Sequence, residues 1–449
     1  MPAFILLCLA SLFLTGSELP LLSEDSRVRL TPFEGTHGIH EAQALLDQDQ
    51  VDLILKDHES KVPADFRMTP YFEPFVRFWF GIYTRYTSDH IIIHDRDNLD
   101  IVYSVIDFSH VAKKLNRFER SAIVQTLSKE KSQEIAQTLR ELSRGDSHSR
   151  LSLSVLKVLQ AHGGSLPMDP SARSKELLRR ANNLRTQTGQ RNLIAQGVER
   201  MLPFDGFFAE YFREFNLPEQ LIAIPFLESS FNTKAESRVG ALGIWQFMPL
   251  IASYFMPRRS PWLDYRNNPF ISSIAAMHLL KENKKILGSW DMAVTAYNSG
   301  TKHLVLARRK HGARTLQDVF ENYEHKHHGF ASKNFYAEFL ALVHALAYRD
   351  EIFKTKSPAL KTNVTFAISK CSFLPSDLLK KNLISESTLR ELNPHITNLK
   401  HLHPRGTILV TNDTLPGRIF RRVSRREAVA LRPLDWTQKL LRNQSCSTR

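Results

Sequence analysis

The spacing of apolar positions changes several times along the chain, and each change marks an expected element. Met1 to Gly16 carry no charged side chain. That run is shorter than the roughly 20 residues of a membrane helix but has the length of a secretory h-region. With Thr15-Gly16-Ser17 as small residues for cleavage, residues 1–17 are expected to be a signal peptide, although a positive start is missing. Leu7 is not the small residue that precedes a lipidated cysteine, so export to the periplasm or cell envelope is expected rather than a lipid anchor at Cys8. Further on, Phe72, Phe75, Trp79 and Tyr83 recur at helical steps and predict a buried amphipathic helix. His90–His94 and Leu99–Val105 flank an Asp-Arg-Asp-Asn turn and read as a β-hairpin. Residues 110–160 read as helix, and helical spacing then runs almost unbroken from Leu178 to Tyr348. Strand-like runs return at Asn363–Ile368 and Thr407–Val410, bracketing two short helical segments. The chain is therefore expected to be mainly α. It would hold an accessory region at 18–184, a helical domain at 185–350, a small α+β module at 360–412 and a basic tail at 413–449.

Composition narrows the function classes. With 42% hydrophobic and 24% charged residues, the 449-residue chain has the make-up of a globular protein. Three cysteines, Cys8, Cys371 and Cys446, exclude a disulfide-built scaffold and an all-cysteine metal site. In an oxidising compartment Cys371 and Cys446 are available to pair. A formal charge of +14 points to a polyanionic partner: nucleic acid, an anionic membrane surface or an acidic polymer. From Leu415 on, eight arginines and Lys439 face only Glu427 and Asp435, which reads as a solvated tail able to touch an anionic wall or membrane surface. No recognition motif accompanies the charge, so no specific nucleic-acid partner is expected. His90 and His94 would lie about 13 Å apart along a strand, too far to share a metal. His325, His327 and His328 read as a loop, and neither a metal nor a cofactor is expected.

Candidate chemistry sits in Leu217–Leu250. Glu228 follows an apolar stretch, Ile222 to Leu227, and a carboxyl at the end of an apolar helix is disfavoured in its charged form. Such a group can act as a general acid. Gly240, Gly243 and Trp245-Gln246-Phe247 suggest a tight turn that brings an aromatic ring and an amide beside it, a pairing suited to a sugar ring. On these residues alone, a surface glutamate beside a glycine turn fits equally well.

The order of several motifs favours the catalytic reading. Glu228-Ser229-Ser230-Phe231, then Ser237-x-x-Gly240-Ala241-x-Gly243-Ile244-Trp245-Gln246-Phe247-Met248, resembles the catalytic motif of soluble-lytic-transglycosylase-type domains. Asp264-x-Arg266-x-x-Pro269 and Ala296-Tyr297-Asn298-Ser299-Gly300 resemble that family's downstream motifs, and the likeness spans about 185–346. The resemblance implies a mostly helical, lysozyme-like domain acting on the glycan strands of peptidoglycan. Glu228 would protonate the bond between N-acetylmuramic acid and N-acetylglucosamine, then accept the C6 hydroxyl proton as a 1,6-anhydro ring closes. It further implies that Ser237, Gly243, Gln246 and Met248 line sugar subsites while Tyr297 and Asn298 steady Glu228 and the substrate. One departure stands out: Phe335 occupies the place of a site tyrosine, with Tyr336 as a substitute after a one-residue shift. Leu383-Ile384-Ser385, Asn393-Pro394 and Gly406–Val410 faintly resemble a LysM glycan-binding module without its opening turn. A hydrolytic muramidase and a catalytically weak wall-binding protein are the alternatives.

Overall fold

The computed structural model describes residues 29–31, 46–146, 149–161, 166–323, 329–354, 364–442 and 444. The expected signal peptide, His325, His327, His328 and Cys446 lie outside them. The chain forms two compact units that do not follow sequence order.

The N-terminal unit combines the described part of Leu6–Ala195 with Lys333–Lys354. Its antiparallel sheet comprises β1 (Arg29–Thr31), β2 (His90–Asp95), β3 (Val102–Asp107) and β4 (Leu184–Thr188), in the order β1-β3-β2-β4. β2 and β3 pair directly, Ile91 opposite Ile106 and Ile93 opposite Ser104. Ile91 and Ile93 share a face by the two-residue period of a strand. They pack with Ile135 and Leu139 of helix Arg117–Ser143 and with Val155 and Leu159 of helix Arg150–Ala161. The aromatic stripe forms helix Glu73–Thr84, where Phe78, Trp79, Phe80 and Tyr83 are buried. His94 is also core: its ring lies 4.6 Å from that of Phe78, and burial pushes its pKa down to about 4.

Lys333–Lys354 belongs with this unit, not with a domain ending at 350. Its helix, Phe330–Ala347, is apolar at most positions, so its surroundings rather than its own pattern decide where it packs. The Trp79 indole N–H donates to the Asn334 side chain at 2.9 Å, Phe66 meets Phe339 edge-on, and the Tyr348 hydroxyl donates to Asp57 at 2.8 Å.

The second unit combines Gln196–Ser332 with the described part of Thr355–Arg449. Helix Pro269–Leu287 runs through its core, with Phe270 to Met277 buried without interruption. Asn268 starts it by accepting from the backbone N–H groups of Phe270 and Ile271, and Gly288 ends it in the left-handed region. A three-stranded antiparallel sheet, β5 (Thr365–Ser369), β6 (Ile408–Thr411) and β7 (Phe420–Val423), has β5 in the middle. Helices Pro375–Lys380 and Glu386–Leu392 connect β5 to β6. This module is joined to the helices by buried polar contacts. The Ile408 N–H donates to the Tyr265 hydroxyl at 3.1 Å, and the Asn268 amide donates to the Leu392 carbonyl at 2.7 Å. Cys371, just after β5, is disulfide-bonded.

The basic segment is not the solvated tail its charge suggested. It supplies β7 and helices Arg425–Ala430 and Pro433–Leu440. Trp436 is fully buried against Phe366 of β5, and His278 lies 3.1 Å from the carbonyls of both Ala428 and Leu431. The apolar residues Phe420, Val423, Ala428 and Trp436 point inward, which leaves arginines such as Arg422 and Arg425 outside.

Candidate active site

Glu228 stands in the last turn of the short helix Ala223–Ser229, whose residues Ala223 to Phe226 are buried. Ser230 and Phe231 follow with φ of 48° and 57°, two successive left-handed residues without glycine. Such residues cost about 1–3 kcal/mol each and persist only where neighbours over-determine them. Here the Ser230 N–H donates to the Phe226 carbonyl at 2.8 Å, and the Arg200 guanidinium donates to the Ser230 carbonyl at 3.1 Å. Gly197 lets its helix approach so closely that a Cβ would come within 2.8 Å of that same carbonyl oxygen. Phe231 is enclosed by Phe204, Phe208 and Phe226. The chain end of the helix is thus fixed, and both Glu228 carboxylate oxygens are shielded from solvent.

The loop from Ala235 to Met248 is tied to that helix. Ser229 Oγ donates to the Ile244 carbonyl at 3.0 Å, and the Tyr297 hydroxyl donates to the Trp245 carbonyl at 2.7 Å. Burial and the neighbouring Glu228 carboxyl push the Tyr297 phenol well above its ordinary pKa, so it stays a donor. Gly240, Gly243 and Gln246 all have positive φ. At Gly243 nothing larger fits: a Cβ would lie 2.1 Å from the Arg266 carbonyl oxygen. The Arg266 side chain, 6% exposed, donates through Nη1 to the carbonyls of Gly240 and Phe247 at 2.5 and 3.0 Å. Its Nε and Nη2 are held by Asp264 at 3.0 and 2.7 Å.

The expected sugar-lining residues divide into groups. Ser237 Oγ accepts the Ala241 N–H at 2.8 Å, and the Gln246 amide donates to the carbonyls of Gly243 and Ala235 at 2.8 and 3.2 Å. Both hold the loop in shape. Met248 is half-buried and precedes the short helix Pro249–Ala252. Asn298 is half-buried near the end of helix Trp290–Ser299, where the Ser332 hydroxyl donates to its side-chain oxygen at 3.4 Å. Trp245 and Phe247, expected as a sugar platform, are 0% and 2% exposed, and the Trp245 indole donates to Ser273 at 2.7 Å. They are core anchors of the loop. Tyr336 groups with the N-terminal unit and is buried, its ring stacked on Phe339 and edge-on to Phe72. Sequence reasoning gave Asp264 and Arg266 no role. The available signal was a charged pair next to the long apolar stretch that begins at Pro269.

Residues 207–320 match the family model described as transglycosylase SLT domain. This chain carries a transglycosylase SLT domain. Its SLT region is also similar to curated proteins. One, from Alteromonas sp. (strain M-1) and named for tributyltin chloride resistance, is 39% identical over 93 residues, covering 20% of this chain and 45% of that protein. Another is membrane-bound lytic murein transglycosylase D of Escherichia coli (strain K12), 31% identical over 116 residues, or 26% of each chain. The chain spans less than half the length of the curated relatives it matches. Glu228, the loop and Tyr297 all fall inside the matched SLT region.

Proposed function

We propose that this protein is a peptidoglycan lytic transglycosylase in which Glu228 serves first as acid and then as base. The observation that carries the reading is a carboxyl with both oxygens shielded from water inside an SLT domain, beside a loop fixed by Arg266, Ser229 and Tyr297. Withdrawal from water disfavours the charged carboxylate, which suits a group that must hand a proton to the glycosidic oxygen. Cleavage of the muramic acid–glucosamine bond gives an oxocarbenium-like centre at C1. Glu228, now ionised, takes the proton of the C6 hydroxyl while that oxygen closes on C1, forming the 1,6-anhydro ring. One carboxyl thereby does the work that glycosidases divide between two.

Ser237, Gly243 and Gln246 act by holding the loop, and Met248 ends it. The β-α-α-β order of β5, the two short helices and β6 supports a LysM-like glycan-binding module, placed in the same unit as the SLT domain. The cell envelope is the compartment this substrate requires, and a signal peptide at 1–17 would deliver the chain there. Among the described residues no helix is long and apolar enough to cross a membrane. Mass spectrometry of digested sacculi tests the reading. Anhydro-muropeptides are expected; reducing-end muramic acid would identify a hydrolytic muramidase, and undigested sacculi a binding protein.

A further inference from the structure

Resting on that reading, we infer that the SLT domain and the C-terminal segment together form a subsite for the carboxylate-bearing stem peptide of peptidoglycan. A cleft of about 710 Å³ opens beside the Glu228 loop, lined on one side by residues 249–266 and on the other by Leu434 of helix Pro433–Leu440. Arg258, Arg259 and Ser260 stand exposed on its rim, while Pro249, Pro257, Pro261 and Leu434 give it an apolar wall. Two carboxyl-binding guanidiniums over an apolar wall match a short peptide with several free carboxylates better than they match a neutral sugar.

Charge and rigidity both favour this occupant. The one acidic residue in the lining, Asp264, is already neutralised by Arg266. Neither Arg258 nor Arg259 forms an ion pair among the described residues, so their charges face the cleft and solvent. The arm that carries them is pinned through its backbone at three places. Phe255 accepts from the Leu434 N–H at 2.9 Å, the Trp262 carbonyl accepts from Thr397 at 3.2 Å, and the Asp264 N–H donates to the His395 carbonyl at 3.0 Å. A pinned arm presents its donors without a large ordering cost. Arg266 links the two sites directly, because it lines the cleft while its guanidinium holds Gly240 and Phe247 of the loop beside Glu228. A four-residue stem attached to the bound muramic acid reaches roughly 13 Å when extended.

Calorimetric titration of the full chain with the free stem tetrapeptide, cut from peptidoglycan, tests the proposal. The parent protein is expected to bind it, more weakly as salt is raised. Arg258→Ala/Arg259→Ala should lose at least about tenfold in affinity, whereas Arg258→Lys/Arg259→Lys should retain most of it. No binding by the parent, equal binding by parent and alanine pair, or inorganic phosphate binding as tightly as the peptide would each overturn the subsite. Release of anhydro-muropeptides from sacculi is scored separately on the parent. Peptide binding without such release removes the proposed activity and keeps the cleft; release without peptide binding does the reverse.

Discussion

The loop beside Glu228 and the basic C-terminal segment complete one unit by opposite means. The loop is held by polar groups: three residues at positive φ, an arginine on two carbonyls, an amide on two more, and a hydroxyl from each neighbouring helix. The segment is held by apolar ones: Phe420, Val423, Ala428 and Trp436 are buried under a surface of arginines. Polar, directional contacts place a backbone within tenths of an ångström, which catalysis requires. Apolar burial tolerates imprecision and supplies stability. The unit uses each where its property is needed.

Four substitutions bear on that contrast. The largest effect is expected at the proposed acid: Glu228→Gln keeps the shape, removes the transferable proton, and should lower anhydro-muropeptide release by at least about 10²-fold. Sacculus binding, measured by co-sedimentation, should persist. Gly243→Ala comes next. The added methyl meets the Arg266 carbonyl oxygen, the loop must shift, and a displacement near 1 Å costs roughly 10²-fold in turnover. A turnover loss no larger than the stability loss predicts would mean the loop is structural only.

Trp436→Ala should act on stability instead, lowering it by about 3–5 kcal/mol in denaturant unfolding. Because Trp436 packs on β5, the second unit should lose its cooperative transition as a whole. A variant as stable as the parent would return the segment to the status of a solvated tail.

Two further effects are pH-dependent and opposite in sign. Burial raises Glu338 from an ordinary 4.5 to about 8, so the folded state holds a proton that the unfolded chain has lost. Stability should fall as pH rises from about 4.5 to about 8. Glu338→Gln should flatten that slope. Arg421 lowers Glu427 to about 2, so its contribution is present above about 4.5 and is lost as pH falls toward 2. Glu427→Gln should flatten the acid side only. Unfolding titrations across pH on the two variants separate the terms.

Gly240 and Gly243 were legible because backbone demands leave a signature in residue type. Only glycine accepts both the φ of 76° and the closeness to Arg266 at position 243. The direction a loop aromatic faces leaves none. Trp245 reads as a sugar platform or a core anchor with equal ease until Ser273 is found at its indole nitrogen. The C-terminal segment misleads for a related reason. Its apolar residues are few and widely spaced among arginines, and their common face exists only once β7 is paired with β5. Lys333–Lys354 followed the same logic: an all-round apolar helix carries no mark of the unit that will bury it.

The central position of β5 has a temporal consequence. Its second edge is covered by Phe420–Val423, some fifty residues after β5 and about two hundred after Glu228 in the chain. Contacts between such distant stretches form late and slowly, because a long loop must close before they are rewarded. A chain still emerging from the ribosome therefore carries its glutamate long before it owns the sheet and the buried tryptophan that complete the same unit. The unit that holds Glu228 therefore cannot close its sheet until Phe420–Val423 has been made and paired.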